Sequence, residues 1–115
     1  MDIKQKVDKL NEMILNGKAL EAFEEFYHED VVMSENGQDE RVGKDASRAF
    51  EEDFFSKIVA FNGAEVKNVA IGENVSMVEM FMDYEHSEWG HKKFTQVAVQ
   101  EWKDGKIIRE TFYHG

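Results

Sequence analysis

The sequence predicts an α+β domain in which three N-terminal helices close over an antiparallel sheet. Before Ala64, apolar residues recur at the spacing of amphipathic helices, and after it the spacing changes to two, which is typical of strands. Helices that precede a run of strands, instead of alternating with them, favour an α+β arrangement. The length of 115 residues fits one domain, so we expect residues 1–115 to form a single unit.

Three helical stripes precede the sheet. A short β-branched run at residues 31–33 predicts a strand between the second and third helices, followed by a turn at Glu35-Asn36-Gly37. Gly17 is expected to end the first helix, and Phe61-Asn62-Gly63 to stop the third. The stripes are Ile3, Val7, Leu10 and Ile14; then Leu20, Phe23 and Tyr27; then Ala46, Phe50, Phe54 and Ile58.

Four strands are expected in the second half, at residues 64–71, 75–86, 93–102 and 107–114. The strand at 75–86 is apolar on both faces, with Val78 and Met80 on one side and Met77 and Phe81 on the other. A strand of this kind must be covered twice. The helices can cover one face, so we expect a homodimer through the outer face of the sheet.

The composition excludes several classes of partner. The 24 acidic and 14 basic residues leave a formal net charge of −10, which disfavours binding to nucleic acid and to anionic membranes. No cysteine is present, no apolar run approaches the roughly 18 residues of a membrane span, and the N-terminus lacks a signal-peptide core. We therefore expect a cytoplasmic protein. Aromatic residues make up 12% of the chain, a residue type that often lines ligand cavities.

An ordered set of segments resembles the nuclear-transport-factor-2-like superfamily, and within it the SnoaL-like branch. The set comprises residues 22–33, 42–46 and 102–107, together with Phe112-Tyr113. The resemblance implies a cone: a bent sheet wrapped around a long helix, with an apolar pocket at the open end. Relatives include ketosteroid isomerase, scytalone dehydratase, limonene epoxide hydrolase and polyketide cyclases. Others bind ligands without catalysis or mediate association, so the fold alone does not select a function.

The pairing of the last two strands decides which side chains face such a pocket, because side chains alternate across a strand. A three-residue loop Lys103-Asp104-Gly105 pairs Trp102 with Lys106, Ala98 with Glu110, and Gln96 with Phe112. A two-residue loop shifts the pairing by one and separates Gln96 from Glu110. We adopt the first register. By the resemblance, Ile108, Glu110, Phe112 and His114 point inward.

Three residues are candidate acids or bases. Glu110 is an acid in an otherwise apolar strand, where burial favours its neutral form; an ion pair with Arg48 or with the neighbours of Arg109 is the alternative. Glu35 is a candidate second carboxylate, or else a solvated turn acid. His114 is a candidate proton shuttle, or else part of a frayed terminus.

Eight further residues are expected to line the pocket. Gln96 and a tyrosine are candidate donors to a developing oxyanion, and the apolar members are candidate walls or simply core. We expect no metal and no cofactor, since no ligand spacing, Gly-rich phosphate loop or Rossmann fingerprint is present. The expected ligand-binding residues are Gln96, Tyr27, Met33, Phe54, Met82, Tyr84, His86 and Phe112.

One departure separates this chain from ketosteroid isomerase-like enzymes, which carry an inward Asp on the penultimate strand where this sequence has Ala98 or its neighbours Val97 and Val99. The sequence therefore supports three hypotheses. The first is a cofactor-free isomerase, cyclase or dehydratase acting by acid–base chemistry on a small apolar cyclic or carbonyl compound. The second is a protein that binds a small hydrophobic molecule without reaction. The third is a homodimeric association domain, favoured by a cavity well below roughly 300 Å³.

Overall fold

The computed structural model describes residues 1–115 as three helices and one six-stranded mixed sheet. The sheet is not closed, and its strand order is β2-β1-β6-β5-β4-β3. Strands β1 and β6 pair in parallel, and all other pairs are antiparallel. The elements are α1 Ile3–Leu15, α2 Ala19–Phe26, β1 Tyr27–Glu35, β2 Gln38–Val42, α3 Lys44–Ser56, β3 Ile58–Ile71, β4 Val75–His86, β5 Gly90–Lys103 and β6 Lys106–Tyr113.

Helix α1 has defined signals at both ends. Asp2 forms a capping box with Gln5: its side chain accepts from Gln5 N at 2.8 Å, and Gln5 Oε1 accepts from Asp2 N at 3.0 Å. Gly17, with φ of 77°, ends the helix in the left-handed conformation that glycine adopts without a steric penalty. Val7 and Leu10 are fully buried on its inner face and join the core against Met80 and Trp102.

The helices pack on one face of the sheet. Helix α1 contacts β3 and β4, whereas α3 contacts β1 and β2, and α2 lies between the two helices. The core therefore forms where α1 and α2 meet the inner face of the central strands. No helix is long and apolar enough to cross a membrane.

Several predicted boundaries were wrong. Tyr27 is the first residue of β1, not part of the second helix, although its ring still stacks on Phe23 at 4.9 Å. Helix α3 ends at Ser56, and β3 begins at Ile58, so Phe61-Asn62-Gly63 lies inside a strand. The register of β3 shifts within this segment, which means that the glycine marks an irregularity of the strand and not a helix stop.

The predicted register of the last hairpin was also wrong. Lys103 pairs with Lys106, so the turn is the two-residue Asp104-Gly105, and both residues have positive φ, 54° and 78°. The register then shifts between the pairs Trp102–Ile107 and Glu101–Arg109. This bulge adds one residue on β6. The shorter turn and the bulge each shift the pairing by one residue, so together they return the residues beyond the bulge to the predicted faces.

The consequence is that the predicted faces hold only beyond the bulge, while the predicted partners do not hold. Before it, the prediction that Ile108 points inward was wrong, because Ile107 is the residue buried in the core. Glu110 pairs with Gln100, and Phe112 pairs with Ala98. Each pairing is displaced by two residues from the predicted one. Gln96 and Glu110 still share the inner face, but Gln100 now stands beside Glu110.

We expect Gly105→Ala to lower the free energy of unfolding by about 1–2 kcal/mol, because an alanine at a φ of 78° is strained. Urea denaturation with a fixed slope measures the change. Gly63→Ala is the matched control. The φ of Gly63 is not positive, and the space where its Cβ would lie is open. An equal loss of stability in both variants would contradict the role given to the turn.

Candidate functional site

A cavity of about 810 Å³ lies between the helices and the inner face of the sheet. Its apolar walls include Leu10 and Phe23 from the helices and Met80 and Met82 from β4. Its polar groups come from β1, β2, β5, β6 and α3, and β5 contributes the most. The cavity is thus apolar where the helices meet β4 and polar along β1, β5 and β6.

One row of paired residues crosses the sheet beneath this cavity. Arg41 on β2 pairs with Met33 on β1, and Met33 pairs with Glu110 on β6. The row continues through Gln100 on β5 to Ser76 on β4. Strand pairing alone therefore brings one guanidinium, one carboxyl, one amide and one hydroxyl onto a single line across the inner face.

Glu110 is the buried centre of this row. It is 1% exposed, and its carboxyl accepts hydrogen bonds from the Tyr27 hydroxyl and, at 2.8 Å, from Gln100 Nε2. Burial raises the pKa of Glu110 to about 7, although both hydrogen bonds oppose the rise by stabilising the carboxylate. At neutral pH this carboxyl is therefore divided between its acid and base forms, which is the state that proton transfer needs.

Gln100 in turn is hydrogen-bonded to Ser76, which is itself hydrogen-bonded to Trp102. Its Oε1 accepts from the Ser76 hydroxyl at 2.6 Å, and Ser76 Oγ accepts from Trp102 Nε1 at 2.9 Å. All three residues are buried. The result is a continuous chain of hydrogen bonds that runs from the indole to the Glu110 carboxyl.

Tyr27 enters the site because β1 begins directly where α2 ends. It is buried, and burial together with the neighbouring Glu110 carboxyl raises its pKa well above the usual value. The phenol therefore stays protonated and acts as a hydrogen-bond donor.

A second carboxyl with a raised pKa comes from α3. Burial raises the pKa of Glu51 to about 7, the Glu110 carboxyl adds to the rise, and Arg41 opposes it. Glu51 lines the same cavity as Glu110 and Tyr27. Two carboxyls in one cavity with raised pKa values are a recurrent arrangement for general acid–base chemistry.

The remaining charged groups form a small cluster that also lines the cavity. Glu35 Oε2 lies 3.5 Å from Arg41 Nη2, and Glu35 Oε1 lies 3.5 Å from His114 Nε2. The guanidinium of Arg41 stacks on Phe50, with Cζ 3.9 Å from the ring centroid. His114 is anchored a second time, because its backbone N donates to Asn36 Oδ1 at 3.0 Å.

The structure brings all but one of the eleven predicted site residues to the cavity. Those that line it are Glu110, Glu35, His114, Gln96, Tyr27, Met33, Phe54, Met82, Tyr84 and Phe112. The predicted alternative for Glu110, an ion pair with Arg48 or near Arg109, was wrong, because Arg48 pairs with Glu24 and Asp45, and Arg109 pairs with Glu40.

His86 is the exception. It is buried at the end of β4 and does not line the cavity. Its Nδ1 accepts from the backbone N of Glu88 at 3.1 Å and of Trp89 at 3.3 Å, and its ring stacks on Trp89 at 3.9 Å. The imidazole therefore organises the β4–β5 turn, and the prediction that it binds a ligand was wrong.

Sequence reasoning missed Gln100, Arg41 and Glu51. Glu51 was missed because α3 turns a different face inward: Ser47 is fully buried, whereas Ala46, the first residue of the predicted stripe, is exposed. The inner face of α3 is thus turned by one residue from the predicted stripe. Gln100 was missed because of the register error. Arg41 lies in a charged five-residue strand with no periodic apolar pattern.

The family of the chain follows from its sequence. The model of the SnoaL-like domain family matches residues 1–114, almost the entire chain. The chain belongs to the SnoaL-like domain family. The predicted resemblance to this branch is confirmed, and a comparison with curated proteins gives no match.

Solved structures with the same fold agree with this family. A Mesorhizobium loti protein provisionally named a SnoaL-like polyketide cyclase is 20% identical, with a TM-score of 0.86 over 98% of this chain and 99% of that one. A Bacillus subtilis protein provisionally named an isomerase is 18% identical, with a TM-score of 0.80 over 100% and 90%. An NTF2-like protein of unknown function from Burkholderia pseudomallei is 13% identical, with a TM-score of 0.81 over 97% and 89%. At these identities the likeness establishes the fold of the SnoaL-like chain and not its chemistry.

The raised pKa of Glu110 predicts a pH-dependent stability. The folded state holds this proton up to about pH 7, whereas the ordinary value is 4.5. Above pH 4.5 the folded state therefore binds more protons than the unfolded state, and stability falls as the pH rises to about 7. We expect Glu110 to cost about 3 kcal/mol at pH 8 relative to pH 4.5, as an upper bound.

Urea unfolding of the wild type and of Glu110→Gln at pH 4.5 and pH 8 measures this cost. The variant should gain stability relative to the wild type as the pH rises. Glu52→Gln, at the exposed position next to Glu51, should follow the wild type at both pH values. A wild-type-minus-variant difference that is the same at both pH values would contradict the burial of an ionisable Glu110.

Proposed function

We propose that this SnoaL-like protein catalyses cofactor-free proton transfer on a small, largely apolar cyclic or carbonyl compound. The observation that carries the proposal is the Glu110 carboxyl, buried on the floor of a largely apolar cavity with a pKa near 7 and two neutral donors. Such a group can remove a proton from a carbon beside a carbonyl and return it to a neighbouring atom. Isomerisation, cyclisation and dehydration of carbonyl compounds through an enolate all use this step.

The other polar groups suggest a division of roles. Glu110 acts as the base and Glu51 as the second carboxyl, because both have raised pKa values and the Glu110 carboxyl contributes to the raised pKa of Glu51. Tyr27 and Gln96 provide donors for the oxygen that gains charge. Glu35 orients His114 and Arg41.

The size and walls of the cavity support this substrate class. A volume of about 810 Å³ falls within the range of small-molecule sites and well above the roughly 300 Å³ lower range. Phe54 from α3 packs edge-to-face on Tyr84 from β4, at 5.5 Å between centroids, and closes the cavity from the helix side. This volume argues against an association domain with a filled cavity.

The names of two structural neighbours fall in the same reaction class. One is provisionally a polyketide cyclase, with carbohydrate phosphatase as a second provisional name, and the other is provisionally an isomerase. Cyclisation of a polyketide and isomerisation of a ketone through its enolate both include proton transfer beside a carbonyl. The names therefore agree with the acid–base role of Glu110, which rests on this chain's own geometry.

A binding protein without catalysis is the second candidate. The buried residue Ala98 stands on β5 where ketosteroid isomerase-like enzymes carry an inward carboxyl, so the machinery of those enzymes is incomplete here. In that case the same cavity holds a hydrophobic ligand, and Glu110 only tunes affinity.

Hydrogen–deuterium exchange separates the two candidates. The protein is incubated with a panel of small cyclic ketones in D₂O, and loss of the α-proton signal is followed by NMR. We expect catalysed exchange for at least one ketone, and Glu110→Gln should lower its rate by about 10²-fold or more. Gln96→Leu should lower the rate less, because it removes a donor and not the base.

Binding without exchange has a different signature. The ketones would raise the melting temperature of the wild type and of Glu110→Gln, while neither protein accelerates exchange. That result would favour the second candidate. A ketone that exchanges equally fast with Glu110→Gln and with the wild type would remove Glu110 from the mechanism.

We propose further that two copies of the chain associate through the outer face of the sheet. Met77 and Tyr113 lie on this face and are 44% and 50% exposed. Val99 pairs with Met77, and Val97 pairs with Tyr113, so the four form adjoining apolar rows across three strands. A second copy offers the same rows to this face, as a two-fold dimer requires.

Met77→Lys should convert a dimer into a monomer, because it replaces an exposed apolar side chain of the proposed interface with a charge. Size-exclusion chromatography with light scattering measures the mass. Leu15→Lys, at a residue of α1 that is 41% exposed, should leave the mass unchanged. A monomeric wild type would contradict the proposal.

A further inference from the structure

Ser76, Gln100 and Glu110 are paired directly with one another across three strands. Ser76 on β4 stands opposite Gln100 on β5, and Gln100 stands opposite Glu110 on β6. We propose that Ser76 and Trp102 are positioning residues which hold the Gln100 amide in one orientation, so that Glu110 Oε2 stays occupied and Glu110 exchanges its proton at Oε1, beside Tyr27. Neither residue touches a substrate in this arrangement; both act through Gln100.

The direction of every hydrogen bond in this chain follows from its first member. The indole nitrogen of Trp102 can only donate, so Ser76 Oγ accepts from it at 2.9 Å. The hydroxyl proton of Ser76 then has one acceptor available, Gln100 Oε1 at 2.6 Å. With Oε1 facing Ser76, the Nε2 group of Gln100 faces Glu110 and donates at 2.8 Å.

The opposite orientation of the amide would create two mismatches. Gln100 Nε2 would face Ser76, and the serine proton would lose its acceptor. Gln100 Oε1 would face Glu110 Oε2, and two acceptors would oppose each other unless that oxygen carried a proton. Because Ser76 is fully buried and does not line the cavity, water does not compensate for the mismatch at its hydroxyl. The orientation of the amide and the protonation of Glu110 are therefore coupled.

The coupling assigns different tasks to the two oxygens of Glu110. Oε2 accepts from Gln100 in both protonation states. A proton taken from a substrate therefore settles on Oε1, where the resulting O–H can donate to the Tyr27 oxygen while the tyrosine proton turns toward the cavity. Return of the proton reverses these movements, so no other group gains or loses a proton.

The catalytic value of this arrangement rests on the proposed function, but the positioning itself is a property of the folded chain. It can be measured without any substrate. The pKa of Glu110 is followed by ¹³C NMR of the glutamate carboxyls as the pH is varied, and the Glu110 signal is identified by its loss in Glu110→Gln.

Ser76→Ala should raise the pKa of Glu110 by about one unit, because the amide is then free to turn its oxygen toward the carboxyl and favour the protonated form. Ser34→Ala is the matched control. Ser34 is equally buried in a strand, its hydroxyl has no partner, and it does not line the cavity. Its replacement should leave the pKa of Glu110 at the wild-type value.

A double-mutant cycle tests whether Ser76 acts through Gln100. In a Gln100→Leu background the amide is absent, so Ser76→Ala should no longer move the pKa of Glu110. Trp102→Phe removes the indole donor together with part of a buried ring, and it should shift the pKa of Glu110 in the same direction by less. It replaces Ser76→Ala in the cycle if that variant does not fold.

The outcomes separate this proposal from the proposed function. An unchanged pKa in Ser76→Ala and Trp102→Phe, or an equal shift with and without Gln100, would overturn the positioning role. If the pKa of Glu110 shifts as predicted, but the protein exchanges no ketone protons, the positioning role is retained and the catalytic role is removed.

Discussion

The site depends on one constraint: each oxygen of a carboxyl group that is almost completely withdrawn from water must have a hydrogen-bond partner. Glu110 has no ion-pair partner, and it meets the constraint with two neutral donors, Tyr27 and Gln100. Neutral donors compensate burial only in part, because a hydrogen bond replaces some but not all of the lost hydration. The effect of burial exceeds that of the two hydrogen bonds, so the pKa of Glu110 lies near 7. The capacity of this carboxyl to transfer a proton at neutral pH follows from that value.

Each donor reaches Glu110 through a different part of the fold. Tyr27 comes from the start of β1, which pairs in parallel with β6, and Gln100 comes from the antiparallel neighbour β5. Behind Gln100, two further hydrogen bonds join its amide to the buried Ser76 hydroxyl and that hydroxyl to the Trp102 indole. A polar network of this depth in a core is stable only when every member has its partner, so the sheet register and the chemistry of the site depend on each other.

The hairpin that ends the sheet illustrates how a register can mislead. Asp104-Gly105 is a strong signal for a two-residue turn, and taken alone it would move Gln96 to the opposite face from Glu110. The bulge beside Ile107 adds the residue that restores the alternation. Nothing in the local sequence marks this bulge, because Ile107 and Ile108 are ordinary strand residues. The bulge is explained by tertiary packing, because it places Glu110 under the helices and not on the outer face of the sheet.

The amino-acid sequence by itself determined the α+β class and the SnoaL-like family, because these depend on periodicity and on a pattern spread over the whole chain. The bulge in β6 decided that Gln96 and Glu110 share the inner face. Only the tertiary structure decided that Gln100 is the partner of Glu110, that Glu51 joins it from α3, and that His86 serves a turn. Those assignments depend on a one-residue bulge and on the rotation of a helix by one position. Both are settled by how the elements pack together, since local sequence leaves each choice nearly equal in energy.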